Sequence, residues 1–269
     1  MRKLVEDQKA RFKLKLIKRK GSQARREQIL LDEKFPEEVR TNLIEIFHEP
    51  LKGEVLACNR GTRIRNVTML RILYEIGMRR GELLSLKLKH FIEASGGDSA
   101  YLVIERNHHD EYDSRTNQPV VKTAGRTVPI SEELELQILS YRTDQRAELV
   151  NVGFSDNDFL FVVHRSGKTQ GHGLTLNGFN SVFTYLKKTF PLLGKKIHAH
   201  AFRHDWNDRF SLYADEKGLS EQEESERRAE LMGWALGSNM VKIYNRRHIR
   251  NKAMEAGRAV ARDTERPKK

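Results

Sequence analysis

The hydrophobic period of this chain changes twice, and those two changes constrain its fold more than any other feature. Before residue 77 the apolar side chains recur at three and four. Phe35, Val39, Leu43, Ile46 and Phe47 form one stripe between Asp32 and Phe47, and Val67, Leu70, Leu73 and Ile76 form another between Asn66 and Ile76. That spacing lines one face of an α-helix. Gly77 supplies the left-handed residue that ends the second helix, and a third restarts near Arg79 with Leu83, Leu84 and Leu86. The period then falls to two. Tyr101 to Glu105 reads as a strand, a polar excursion runs from Asn107 to Gln118, and Pro119–Lys122 and Arg126–Ile130 read as two strands joined at Thr123-Ala124-Gly125. Ser131 is a helix N-cap, and the helical period returns through Leu149. Phe159 to Val163 is a short buried segment, and from Thr175 the chain is helical with breaks at Pro191 and near Gly218 and Gly237. The expected fold is mainly α with one small antiparallel β-sheet, an α+β domain.

Charge narrows the partner. The 269 residues carry a net +12, which favours a polyanion such as nucleic acid. The charge is not spread evenly: residues 1–30 hold 11 basic and 3 acidic side chains, residues 246–269 hold 9 and 3, and 31–245 is slightly acidic with 29 and 31. The ends read either as solvated tails or as arms on a nucleic-acid backbone. Any anion site in the body must come from a few placed residues. A single cysteine, Cys58, excludes a disulfide framework and a thiolate zinc site. No apolar run approaches the ~20 residues that span a bilayer, so no membrane partner is expected.

Several fragments imitate other chemistry. Gly167-Lys168-Thr169 resembles the end of a phosphate-binding loop, but Val162 stands where that loop needs glycine. His108, His109, Asp110 and Asp113 fall in the polar excursion and read as a solvated loop. His198, His200, His204 and Asp205 are a better metal candidate, because His200 and His204 are four apart on a helix. Arg203 inside that run would place a cation beside the metal. Read singly, the bland alternatives stand: Tyr244 as an anchoring tyrosine, Lys122 as a turn lysine, Trp234 as a core indole, and Arg79 with Glu82 as a surface ion pair.

Read in order, the fragments make a set. Gly77-Met78-Arg79-Arg80-Gly81-Glu82-Leu83 comes first, and Lys122 then precedes Arg126-Thr127-Val128-Pro129. His200-Ala201-Phe202-Arg203-His204, Gly233-Trp234 and Tyr244 follow. This series resembles the catalytic domain of the tyrosine recombinases, the phage-integrase family of site-specific DNA recombinases. Met78 stands where leucine is usual, and the gap from Arg203 to Trp234 is longer than usual, the excess falling in an acidic stretch at 215–230.

The resemblance implies an enzyme that cleaves and rejoins DNA through a covalent 3′-phosphotyrosine, without metal, ATP or other cofactor. It implies that Arg79 and Arg203 clamp the scissile phosphate, that Lys122 protonates the leaving 5′-oxygen, and that His200 accepts the proton of the nucleophile Tyr244. Trp234 packs beside the phosphate, Glu82 orients the Arg79 guanidinium, and His204 has a structural role. The implied partners are double-stranded DNA, three further copies in a tetramer on it, and accessory DNA-bending or directionality factors; alone the chain would be a monomer. The expected location is the cytoplasm of a bacterial or phage-infected cell, at the nucleoid. The expected organisation is a basic linker or arm at 1–30, the catalytic domain at 31–245 with the acidic stretch as an exposed helical insertion, and a basic C-terminal helix and tail at 246–269. Fewer than eighty residues precede Arg79, so the chain is expected to be an isolated catalytic domain lacking the core-binding domain, a fragment, or an unusually short member of the family. A type IB topoisomerase, which uses a near-identical constellation to nick and reseal one strand, and a DNA-binding accessory factor are the alternatives.

Overall fold

A computed structural model of the chain describes residues 35–53, 59–107, 109–121, 123–194, 197–235 and 238–262. The basic arm at 1–30, Cys58, His108, Lys122 and Gly237 lie outside the described residues. Helix α1, Glu37–His48, follows Pro36 and buries Leu43, Ile46 and Phe47. Helix α2, Arg60–Ile76, starts six residues earlier than the apolar stripe indicates. The reason is that two arginines of its first turns are buried and satisfied from elsewhere. Arg63 Nη2 donates to the Lys52 carbonyl at 2.8 Å, and Arg65 Nη1 to that of Val162 at 2.7 Å. Gly77, at φ 66, ends α2 as expected. A Cβ there would also lie 2.8 Å from the Trp206 ring. The short helix α3 spans Arg80–Leu84, so Leu86 is buried just beyond it rather than within it.

Strands β1 (Phe91–Ile92), β2 (Tyr101–Ile104) and β3 (Arg126–Pro129) form an antiparallel sheet in that order. Leu102 pairs with Val128 and Ile104 with Arg126. Leu102, Ile104 and Val128 point into the core. The expected hairpin of 119–122 with 126–130 is corrected here, because β3 pairs with β2 and Pro119–Val121 is not a strand. Proline lacks the N–H that a ladder needs, and the segment is held near the end of β2 by one bond, from Val121 N to the Asn107 carbonyl at 3.2 Å.

Helix α4, Glu132–Ser140, is capped by Ser131, whose Oγ accepts from Leu134 N at 3.2 Å. It loosens into a π-turn over Tyr141–Arg146 instead of continuing to Leu149. Arg146 is drawn inward there, donating to the Phe159 carbonyl at 3.0 Å and the Gly153 carbonyl at 2.7 Å. The segment 159–163 is buried at Leu160, Phe161 and Val162 and makes isolated bridges only. Helix α5 (Leu176–Thr189) begins at the Thr175 cap. Three long helices follow: α6 (Ala199–Glu216), α7 (Glu221–Met232) and α8 (Asn239–Arg262).

The main core wraps around α2 and α6, where Phe202 meets Phe35 and Tyr74 edge-on. A smaller cluster gathers Ala229, Met232, Trp234, Val241 and Tyr244 at the corner of α6, α7 and α8. That cluster revises the reading of 215–230 as an exposed insertion. The stretch is helical and exposed in its first turns, but Arg228, Ala229 and Met232 are buried. Arg228 Nη2 donates to Ser211 Oγ at 2.6 Å and pairs with Glu224. Among the described residues no helix is long and apolar enough to cross a membrane.

Candidate active site

The turn from α2 into α3 places Arg79. It is the extended residue before α3, and Glu82, one turn on, accepts from Arg79 N at 2.9 Å through Oε2. This bond caps a helix that would otherwise have an orphaned N–H. The Arg79 side chain remains 35% exposed, with Nη1 3.5 Å from Glu82 Oε1. It lines a cleft of about 450 Å³ together with Met78, His198, His200 and Arg203. His198 is the N-cap of α6, its Nδ1 accepting from Ala201 N at 3.2 Å. The positive end of α6 therefore adds to an anion-attracting field in the cleft.

Arg203 sits one turn into α6 and is 1% exposed. Its Nη1 donates to the Gly77 carbonyl at 2.8 Å and its Nη2 to the Met232 carbonyl at 3.1 Å, while the guanidinium lies 5.2 Å from the Trp234 ring. Burial, and after it the charge of Arg79, pushes its pKa down to about 9. A cation held in this way is stabilised by any anion entering the cleft.

Glu82 is tied elsewhere more tightly than expected. Its strongest ion pair is with Arg126, Nη2 to Oε2 at 2.9 Å, and both side chains are 1% exposed. Thr123 Oγ1 donates to Glu82 Oε1 at 2.7 Å. Burial alone would raise the Glu82 pKa. The Arg126 guanidinium, with hydrogen bonds from Arg126, Thr123 and Arg79 N, outweighs it and holds the carboxylate below its usual range.

Tyr244, in the second turn of α8, is 3% exposed. Its ring stacks on Trp234 at 5.5 Å and 12°. Its hydroxyl lies 2.9 Å from His204 Nδ1. The resemblance gives His204 a structural role and makes His200 the proton acceptor, yet His204 makes the contact. His200 lies edge-on to it, ring centroids 4.3 Å apart. Trp234 Nε1 is buried without a hydrogen-bond partner among the described residues. Asp205, from the candidate metal run, is held by Arg40 at 2.8 Å and Arg209 at 3.0 Å. The site thus has two halves. Arg79, His200 and Arg203 line the cleft, while Tyr244, His204 and Trp234 pack together outside its lining, joined to it through the edge-on histidines and through Arg203 over Trp234.

Arg126 is visible in the sequence only as a member of the Arg-x-Val-Pro run. Its partner lies 44 residues away, so no local spacing reveals the pair.

A mainly helical domain with a small antiparallel sheet, carrying two guanidinium groups on a cleft, has the integrase class of fold. Residues 52–249 match the phage integrase family, and the chain belongs to that family. Solved structures share the fold. The XerH site-specific recombinase bound to difH substrate in a pre-cleavage complex has a TM-score of 0.53 at 22% identity, over 79% of this chain and 50% of that one. The XerA recombinase has 0.51 at 20%, over 88% and 66%. The Tn1549 transposon integrase (residues 82–397) with circular intermediate DNA has 0.52 at 16%, over 78% and 61%. The chain spans about half the length of the XerH chain. No curated protein matches it.

Proposed function

We propose that the chain cleaves and rejoins double-stranded DNA at specific sites through a 3′-phosphotyrosine on Tyr244, acting as the catalytic domain of a site-specific recombinase. The observation that supports this most is the pairing of a buried Arg203 and a half-exposed Arg79 on one cleft, with Tyr244 stacked on Trp234, the indole that Arg203 lies over. Two guanidinium forks fit the non-bridging oxygens of a pentacoordinate phosphorane and stabilise its added charge.

The first step forms a bond from Tyr244 Oη to the scissile phosphorus and breaks the bond from phosphorus to the 5′-oxygen. A phenol of pKa near ~10 needs help to ionise, and the two arginine charges favour the phenolate. The phenolic proton passes to the histidine pair: His204 Nδ1 holds the hydroxyl at rest, and His200 takes the proton on the cleft side. Lys122 protonates the departing 5′-oxygen. In the second step a 5′-hydroxyl attacks the phosphotyrosine and the phenol leaves with its proton restored. One phosphoester is exchanged for another, so neither ATP nor a metal enters the balance. Attack requires Tyr244 to leave His204 and enter the cleft, which assigns Glu82, Trp234 and His204 to positioning.

DNA is the partner in this reading, with a tetramer and accessory factors completing exchange. XerH has been captured with its substrate before and after cleavage, which is consistent with it. The test is a nicked duplex whose short leaving fragment diffuses away. Wild-type protein is expected to form a detergent-stable DNA adduct, and Tyr244→Phe none. No wild-type adduct on any cognate site, or an undiminished adduct in the variant, would overturn the proposal. Supercoil relaxation without exchange between two sites would instead favour a nicking and resealing enzyme.

A further inference from the structure

Arg126 makes bonds that helix and strand formation do not require. As a β3 residue it needs only its backbone, yet its side chain is nearly sealed from solvent and joins three separate segments. Nη2 pairs with Glu82, the residue that caps the helix start at Arg79. Nη1 donates to Thr123 Oγ1 at 3.2 Å, fixing the turn before β3. Nε donates to the Leu231 carbonyl at 2.8 Å, in the last turn of α7.

The next carbonyl along α7, that of Met232, is the one Arg203 holds. The two arginines thus terminate the same helix side by side, where the helix dipole places negative charge. The corner is tight. Gly233 has φ 63, and a Cβ there would lie 2.7 Å from Arg126 Nη1. Its carbonyl accepts from Ala124 N at 3.3 Å, closing the loop back to the turn. Trp234 follows directly.

We infer that Arg126 is a positioning residue of the proposed reaction: through Glu82 and the α7 terminus it sets the separation of Arg79 from Arg203 and Trp234, and so the fit of the clamp to the phosphate. The inference rests on the proposed function. Arg126 is buried and does not line the cleft, so its effect passes through the Arg79 helix start and the α7 terminus that it shares with Arg203.

A residue that acts through the clamp matters most when the phosphate is charged. Replacing one non-bridging oxygen by methyl removes a negative charge from the transition state and lessens the demand on both guanidinium groups. The experiment measures the rate of Tyr244 adduct formation by Arg126→Gln, Arg126→Lys and wild type. Each is tested on the same nicked duplex with a phosphodiester or a methylphosphonate at the scissile position, beside DNA affinity and melting temperature. Arg126→Gln is expected to slow phosphodiester cleavage by at least about 30-fold, with affinity changed by less than about threefold. On the methylphosphonate the loss should shrink to less than about fivefold, and Arg126→Lys should recover part of the phosphodiester rate.

Equal losses on the two substrates, or no loss, would overturn the inference. If Arg126→Gln does not fold, the double variant Arg126→Met with Glu82→Gln carries the same comparison. It removes both buried charges together, which costs less stability than stranding one. A wild-type rate in that folded variant would likewise overturn the inference. Wild-type adduct on the phosphodiester is the control: its absence overturns the proposed function itself, and its presence with substrate-independent losses overturns only the role of Arg126.

Discussion

Glu82 carries more of the site's stability than its acidic neighbours do. Among the described residues most carboxylates lie outside the buried set, where an ion pair contributes about 0–1 kcal/mol. Glu82 is sealed against Arg126, Thr123 and the Arg79 amide. Removing one partner of such a pair leaves the other buried and uncompensated, at a cost of about 3–5 kcal/mol. Glu82→Gln should therefore lower stability by an amount in that range in denaturant unfolding. The sign of its pH dependence follows from the depressed carboxylate pKa. The stabilisation is complete above the ordinary glutamate pKa and is lost as pH falls through the lower, folded value. Acid unfolding of wild type should accordingly have a steeper limb below about pH 4 than that of Glu82→Gln, and identical limbs would refute the assignment. At this scale the sequence is informative where a residue stands at a local signal. Arg79 follows a helix-ending glycine, His200 and Arg203 share one helix face, and Tyr244 closes an ordered set. Arg126 with Glu82, and His204 with Tyr244, are not legible there, because each pair joins side chains 40 or more positions apart.

Among the elements, α8 bears Tyr244, the proposed nucleophile, and also a tether to α6. His248, one turn beyond Tyr244, places Nε2 2.9 Å from Asp215 Oδ2 at the end of α6, and Lys252 places Nζ 3.0 Å from the same oxygen. Asp215 is 44% exposed, so the tether is worth less than about 1 kcal/mol and should yield to competition. Asp215→Asn is expected to speed amide exchange in α8 around residues 244–252 by up to about fivefold, leaving α2 unchanged. Exchange that is unaltered in α8, or faster everywhere, would dismiss the tether. The helices and the β2 and β3 strands are readable from apolar period. The early start of α2 and the π-turn at Tyr141–Arg146 are not. In both, buried arginines find backbone carbonyls of distant segments, and a charged residue in a sequence pattern reads as solvated.

For the molecule as a whole, the charge of +12 divides by role. The body between residues 31 and 245 is nearly neutral, and among its described residues buried arginines bond to carboxylates, as Arg126 does, or to backbone carbonyls, as Arg65, Arg146 and Arg203 do. In the proposed function, the ends, which hold the excess positive charge, add DNA affinity to that of the two cleft arginines. Removing residues 1–30 should weaken DNA binding and flatten its dependence on salt, by up to ~0.9 in log–log slope for each phosphate that the shortened chain no longer neutralises, while adduct formation remains detectable. An unchanged slope would make those residues a solubilising tail. Partition of the charge is legible from sequence alone, whereas the joining of the acidic stretch to the core is not. Its first turns are as polar as an insertion should be, and only the last, with Arg228, Ala229 and Met232, turns inward.

The stacking of Trp234 on Tyr244 has a further use. The chain has two tryptophans, and the other, Trp206, is fixed on α6 by its bond to the Glu75 carbonyl and its stack on Phe210. With Trp206 replaced by phenylalanine, the remaining indole would be an intrinsic fluorophore in contact with Tyr244, the proposed nucleophile. If Tyr244 leaves its stack to reach the phosphate as proposed, that emission would report the departure in real time, without a label and ahead of the cleavage step.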